Sequence, residues 1–132
     1  MSETNKQTIR DYAAAFSAGD LERVRALHTP DAIVHGVLGW GSVDDVMPIW
    51  RELVDGLGIQ LKIESLVAEG DIVAARYTET GQSKAPFRGL PATGKSYELV
   101  AMEWYEMKDG RIHRRWGARD FAAQSRQLGW TS

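Results

Sequence analysis

The chain contains no cysteine, which removes disulfide staples, thiol nucleophiles and cysteine-ligated metals together. It has no run of about 18 apolar residues, so no membrane-spanning helix is expected. Its first residues, Met1-Ser2-Glu3-Thr4-Asn5-Lys6, are polar and lack the apolar stretch of a secretory signal. The expected location is therefore cytoplasmic, with no membrane partner. Histidine is scarce: His28, His35 and His113 stand at no ligand spacing, so no metal site is expected. Charge of one sign is also lacking. Sixteen basic against 18 acidic residues leave a net charge of −2, which argues against a general electrostatic role on nucleic acid. A local basic cluster, Lys108, Arg111, Arg114, Arg115 and Arg119, reads as a solvated strand edge that discourages edge-to-edge pairing. Gly39-x-Gly41 and Gly56-x-Gly58 do not follow a strand and open a helix as phosphate loops do. No nucleotide or other cofactor is expected.

What is present suits one domain over residues 1–132, long enough to bury a core without staples. Five tryptophans suit either that core or an aromatic-lined cavity. Thr4 and Gln7 have capping-box spacing, and Ile9, Tyr12, Ala13 and Phe16 recur at helical intervals. Gly19 ends this helix, and Asp20 can cap a short second one carrying Leu21, Val24, Leu27 and His28 on one face. Pro30 stops it before a short strand, Ala32-Ile33-Val34-His35. Residues 36–41 read as a loop carrying Trp40. Ser42 can cap a third helix with an apolar stripe from Val43 to Leu57, in which Pro48 is awkward. Beyond Ile59 the period becomes two, giving strands over residues 59–64, 72–80 and 96–107. Residues 81–94 form a long irregular connection around Phe87. Asp109-Gly110 is a two-residue hairpin signal into the last strand, Gly110 to Asp120. A final helical turn or two follows from Phe121, with Gly129 as its stop. Helices first and strands afterwards predict an α+β layer structure: about three helices on one face of a curved antiparallel sheet, leaving a pocket.

Three ordered stretches carry a resemblance. One is Tyr12-Ala13-Ala14-Ala15-Phe16-Ser17-Ala18-Gly19-Asp20-Leu21, running to Pro30-Asp31-Ala32-Ile33-Val34-His35. The next is Glu69-Gly70-Asp71-Ile72-Val73-Ala74-Ala75-Arg76, continuing to Phe87-Arg88-Gly89-Leu90-Pro91-Ala92-Thr93-Gly94-Lys95. The last is Asp109-Gly110-Arg111-Ile112 with Trp116, Asp120 and Gln127-Leu128-Gly129. With these the chain resembles the SnoaL-like polyketide cyclases of the nuclear-transport-factor-2-like (NTF2-like), cystatin-like fold. The resemblance implies a cone of three helices on a strongly bent antiparallel sheet, a homodimer, and an Asp at position 120 as acid–base catalyst of an aldol condensation. The chain departs from many relatives in having Gly81-Gln82-Ser83 where they carry Gly-Thr-His, and Glu103 where they carry a pocket histidine.

Asp120 has two readings. Unbroken alternation places it beside Trp116 and Ile112, where an apolar wall would raise its pKa for proton transfer at carbon; alternatively it caps the helix at Phe121. Glu103 is its candidate partner, or else an ion-pair partner of Arg76 or Arg114. His35 is the family-matched histidine, able to exchange a proton or orient a substrate; His28 and His113 are assigned to the surface or a helix end. Arg76 can bind a substrate oxygen bidentately. Tyr12, Trp40, Phe87 and Trp116 are candidate pocket walls, while Phe16 and Trp50 are assigned to the core. The expected function is cofactor-free acid–base catalysis on a small hydrophobic cyclic or aromatic carbonyl compound. Two alternatives stand beside it. Hydrolysis of a limonene-epoxide-like substrate would need an arginine bridging two carboxylates. A non-catalytic domain would merely store a hydrophobic ligand.

Overall fold

A β-bulge in the last strand sets the architecture of the site. The computed structural model describes residues 2–130. Its elements are α1 (Ser2–Ser17), α2 (Leu21–Ala26), β1 (His28–Gly36), β2 (Gly39–Ser42), α3 (Val43–Leu57), β3 (Gln60–Glu69), β4 (Ile72–Gln82), β5 (Ser96–Lys108), β6 (Arg111–Arg119) and α4 (Phe121–Leu128). The strands form one curved, unclosed sheet in the order β2-β1-β6-β5-β4-β3. Neighbours are antiparallel except β1 and β6, which run parallel, so the sheet is mixed rather than wholly antiparallel.

Local chemistry accounts for most element ends. Asp20 accepts from Arg23 N at 3.1 Å to start α2. Ser42 and Asp45 form a reciprocal capping box at α3. Pro48 sits inside α3 without ending it, because the apolar stripe holds the helix on the core. Asp109 and Gly110, at φ 53° and 76°, make the left-handed pair that a tight hairpin needs. Three expectations change here. The first helix already runs from Ser2, so Thr4 lies inside it and its carbonyl accepts from Thr8 Oγ1. The first strand begins at His28 and runs through Pro30. Residues 39–42 are a strand, pairing His35 with Trp40 and Gly36 with Gly39.

The inward face carries Val73, Ala75, Tyr77 and Glu79 of β4 with Tyr97, Leu99, Ala101 and Tyr105 of β5. They bury against Ile9, Tyr12 and Phe16 of α1 and Val46, Trp50 and Leu53 of α3. Residues 81–94 are tied to the end of α3, where Gly56 O accepts from Lys84 N and Ala85 N. Phe87 is buried there and stacks on Trp130 at 5.6 Å.

In β6, Ile112 pairs with Met107 and Arg114 with Glu106, leaving His113 as an extra residue. The bulge flips the alternation beyond it. Ile112 points inward, but so then do Arg115, Gly117 and Arg119, while Trp116, Ala118 and Asp120 face out. Gly81 illustrates how tightly the inner layer packs. A Cβ there would lie 2.6 Å from both Leu57 O and a Tyr97 ring carbon. Gly81→Ala should therefore lower stability by about 1–3 kcal/mol, read as an earlier urea midpoint at unchanged m; an unmoved midpoint would contradict this packing.

Candidate active site

Between the inward sheet face, α1 and α3 lies a cavity with ≈ 630 Å³ of empty space, mouth included. Its walls are mainly apolar, from Phe16, Val34, Val46, Trp50, Leu53 and Ala101, and half-exposed Val37 stands at its rim. Its charged groups are two carboxylate–guanidinium pairs, Glu103 of β5 with Arg115 of neighbouring β6, and Glu79 of β4 with Arg119 of β6 across the intervening β5. Isolated ions in such a place cost several kcal/mol each, and hydrophobic replacements of buried pairs are often as stable. Their presence on a cavity wall therefore points to use rather than to stability.

The pairs are not equivalent. Glu79 is 2% exposed and fully occupied. It accepts from Arg119 Nε at 3.0 Å, from Arg119 Nη2, and from Tyr97 Oη at 2.6 Å. Arg119 spends its remaining nitrogen on Gln124 Oε1 at 3.3 Å. Burial works against the charge on Arg119, and Glu79 outweighs it, raising the guanidinium pKa. Glu103 has fewer partners: Arg115 Nη1 on one oxygen and Tyr105 Oη at 2.5 Å on the other. Each of its oxygens keeps acceptor capacity. Since Tyr105 gives its hydrogen to Glu103, Tyr77 donates to Tyr105 at 2.7 Å, making a chain of phenols that ends on the carboxylate. Burial pushes Tyr12, Tyr77, Tyr97 and Tyr105 up from the ordinary phenol pKa, so all four are neutral donors at physiological pH. Gly117, directly opposite Glu103, leaves the gap in which this pair meets. A Cβ there would lie 3.2 Å from Glu103 Oε2 and 3.4 Å from Arg115 Nη1.

Of the residues singled out from the sequence, Glu103 and Tyr12 line the cavity, as do Phe16 and Trp50. Asp120 does not. It is exposed and caps α4, accepting from Ala123 N at 2.9 Å. Phe87 lies under the 81–94 connection, away from the cavity. His35, Trp40, Arg76 and Trp116 all fall on the outer face of the sheet. There one register row crosses all six strands as Trp40, His35, Trp116, Trp104, Ala74 and Val67. His35 stacks flat on Trp116 at 4.9 Å and meets Trp40 edge-on at 4.8 Å, leaving Trp40 74% exposed. Arg76 is thus on the opposite side from the Glu103 carboxylate. The basic cluster is also split: Lys108 and Arg111 are exposed, but Arg115 and Arg119 turn inward to their acids. Sequence reasoning missed Arg115, Arg119 and Glu79. An acid among inward-facing apolar residues of β4 was the available signal for Glu79; for the arginines the bulge hid it.

No group of His, Asp or Glu able to hold a metal ion occurs among the described residues, and no helix there is long and apolar enough to cross a membrane.

This cone, helices over a bent sheet around a cavity, defines an NTF2-like α+β domain. A family model for SnoaL-like polyketide cyclases matches residues 6–128, and the chain belongs to that family. Among solved structures, wild-type IdmH from Streptomyces antibioticus, a proposed polyketide cyclase, is 28% identical, with a TM-score of 0.84 over 95% of this chain and 98% of its own. AclR from Streptomyces galilaeus, a proposed hydroxylase, is 22% identical, with a TM-score of 0.90 over the whole of both chains. An M. tuberculosis LEH-like epoxide hydrolase shares the fold at 16% identity and a TM-score of 0.77, over 98% of this chain and 92% of its own. Among curated proteins none matches the sequence.

His28, assigned from sequence to the surface or a helix end, stands just past the end of α2 and is 2% exposed. It packs against Tyr12 at 6.0 Å and Trp50 at 5.5 Å, with Nδ1 donating to Val24 O at 2.7 Å. Burial lowers its pKa from 6.5 to about 4. The fold thus prefers neutral His28, and this site's contribution is full above pH 6.5 and lost as pH falls toward 4. Wild type should lose on the order of 3 kcal/mol across that window through this group. His28→Leu should show a correspondingly flatter stability profile in urea melts; an identical profile would sink the assignment.

Proposed function

We propose that the chain is a cofactor-free acid–base enzyme acting on a small hydrophobic cyclic or aromatic carbonyl compound, with Glu103 as the proton carrier. The observation that carries this is a buried carboxylate on the wall of an apolar cavity, held by one guanidinium nitrogen and one neutral phenol, with acceptor capacity left over. Such a group can take a proton from carbon beside a carbonyl and return it elsewhere, which serves aldol cyclisation or isomerisation alike. Tyr105 fixes the carboxylate's direction, and Tyr77 fixes Tyr105. Tyr12, Phe16 and Trp50 shape the volume and exclude water. Family membership and the likeness to IdmH support cyclase-type chemistry. The geometry favours proton transfer over epoxide hydrolysis, because each guanidinium holds one carboxylate and neither bridges two. The carboxylate pairs favour catalysis over mere storage, since a storage cavity gains nothing from four buried charges.

Proton exchange tests the chemistry without knowledge of the product. The protein should wash deuterium from heavy water into the α-positions of a panel of cyclic and aryl ketones, followed by NMR. Glu103→Gln should lower that rate by roughly 10²–10⁴-fold. Asp120→Asn should leave the rate within a factor of about two and cost about 1 kcal/mol or less of stability as a weakened cap. Full exchange by Glu103→Gln, or its loss in Asp120→Asn, would overturn the assignment.

We further propose that the protein works as a cytoplasmic homodimer through the outer sheet face. Large exposed apolar residues gather there: Val67, Trp104 and Trp116 share the row of Trp40, and Val100 and Met102 lie on the same face of β5. Contiguous apolar surface of this kind marks an interaction site, and the family resemblance supplies a second copy as the occupant. Sedimentation should give twice the chain mass for wild type and the chain mass for Trp104→Arg with its secondary structure retained. A monomeric wild type would refute it.

A further inference from the structure

Arg115 holds a donor that nothing in the protein uses. Its side chain is 8% exposed, and the bulge at His113 turns it into the cavity. Nη1 serves Glu103, and the guanidinium lies over the Trp50 ring, 5.7 Å from its centroid. Nε is buried with no hydrogen-bond partner in the protein. Buried N–H groups are nearly always satisfied, so an unpaired guanidinium nitrogen on a cavity wall is a natural partner for a ligand oxygen. Glycines flank the terminal nitrogens of the guanidinium: a Cβ at Gly36 would lie 3.7 Å from Nη2, and one at Gly117 3.4 Å from Nη1. The other guanidinium offers nothing comparable, since Arg119 has Nε and Nη2 on Glu79 and Nη1 on Gln124.

We infer that Arg115 is the oxygen-binding point of the cavity, receiving the carbonyl oxygen of a neutral, enolisable substrate and holding it as it becomes an enolate. The inference rests on the proposed role of Glu103 and adds the substrate class. Two cations already balance two anions in the cavity wall. A substrate arriving as a carboxylate would bring a surplus charge into an apolar space. A neutral ketone brings none, and its negative charge develops only during reaction, where a preplaced guanidinium stabilises it most. In the step itself the α C–H bond breaks and its proton moves to a Glu103 oxygen. The electron pair becomes the C=C bond of the enolate, and the carbonyl π pair moves to oxygen, opposite Arg115. In isomerisation the carboxylic acid returns the proton to carbon. In cyclisation the enolate carbon bonds to a second carbonyl carbon of the same molecule, whose π pair moves to its oxygen, and that alkoxide takes the proton from the acid.

A nitronaphthol mimics the enolate, and its absorbance reports whether the bound molecule is ionised. The comparison is between Glu103→Gln, where Arg115 faces the ligand without its acid, and the charge-neutral double variant Glu103→Gln/Arg115→Gln. The bound naphthol should have an ionisation constant roughly ten- to a hundredfold larger in the single variant, the worth of a charge-assisted hydrogen bond. Equal constants, or no binding of the nitronaphthol by wild type, would overturn the inference. Should the double variant lose its near-ultraviolet tryptophan signal, Glu103→Gln/Arg115→Lys replaces it: the charge stays and the Nε donor goes, and the constant should still fall severalfold. The proton-exchange assay keeps the two readings apart. Glu103→Gln exchanging at the wild-type rate with the naphthol shift intact removes Glu103 as base and leaves Arg115 as the oxygen site. Loss of exchange with no naphthol shift does the reverse.

Discussion

The extra residue in β6 is the constraint on which the site depends. A strand's side chains alternate strictly, so one inserted residue changes the face of everything after it. With His113 bulged, Arg115 and Arg119 enter the cavity and meet Glu103 and Glu79 across the sheet. Without it, Trp116 and Asp120 would point inward and both acids would be buried alone. The inward acids and the bulge are thus coupled: either is costly without the other.

Around that core of charge the remaining features follow. Gly117 lets the Glu103–Arg115 pair close over β6, and Trp50 from α3 covers the guanidinium. The phenols of Tyr77 and Tyr105, neutral because they are buried, orient the carboxylate without neutralising it. His28, also neutral, lets α1 and α3 pack over the first strand without bringing a third cation near Arg115. The same alternation that fills the inner face with acids and phenols leaves the outer face with a tryptophan-rich row. The two faces of one sheet so carry the two proposed roles, chemistry inside and association outside.

The family resemblance and the geometry part company at Asp120. Resemblance placed the proton carrier at Asp120, just past the end of β6. In this chain Asp120 starts a helix, and a carboxylate accepting a backbone N–H at an exposed cap has no dry surroundings to tune it. The acid with cavity access stands on β5 instead, opposite Gly117. The proposed role of Glu103 therefore rests on the side of the sheet on which it stands rather than on family membership.

Much of the fold was legible in the sequence because it is written in short-range chemistry. The helical stripe of α3, its Ser42 cap, the Asp109-Gly110 turn and the period-two runs of β3 to β5 each depend on neighbours a few residues away. The inward face of Glu103 was legible for the same reason, since β5 alternates without interruption from Tyr97 to Met107. The site as a whole was not. A bulge leaves no residue-type signature in Ile112-His113-Arg114. Extrapolated parity left Arg115 and Arg119 on a solvated edge and offered Trp116 and Asp120 as pocket residues, with capping of the last helix the other reading of Asp120. The parallel pairing of β1 with β6, which places Val34 beside Arg115 and His35 beside Trp116, joins segments some eighty residues apart. Periodicity within a segment reports its own amphipathic face. Which acid meets which base across the sheet depends on register, and only the packed tertiary structure decides that.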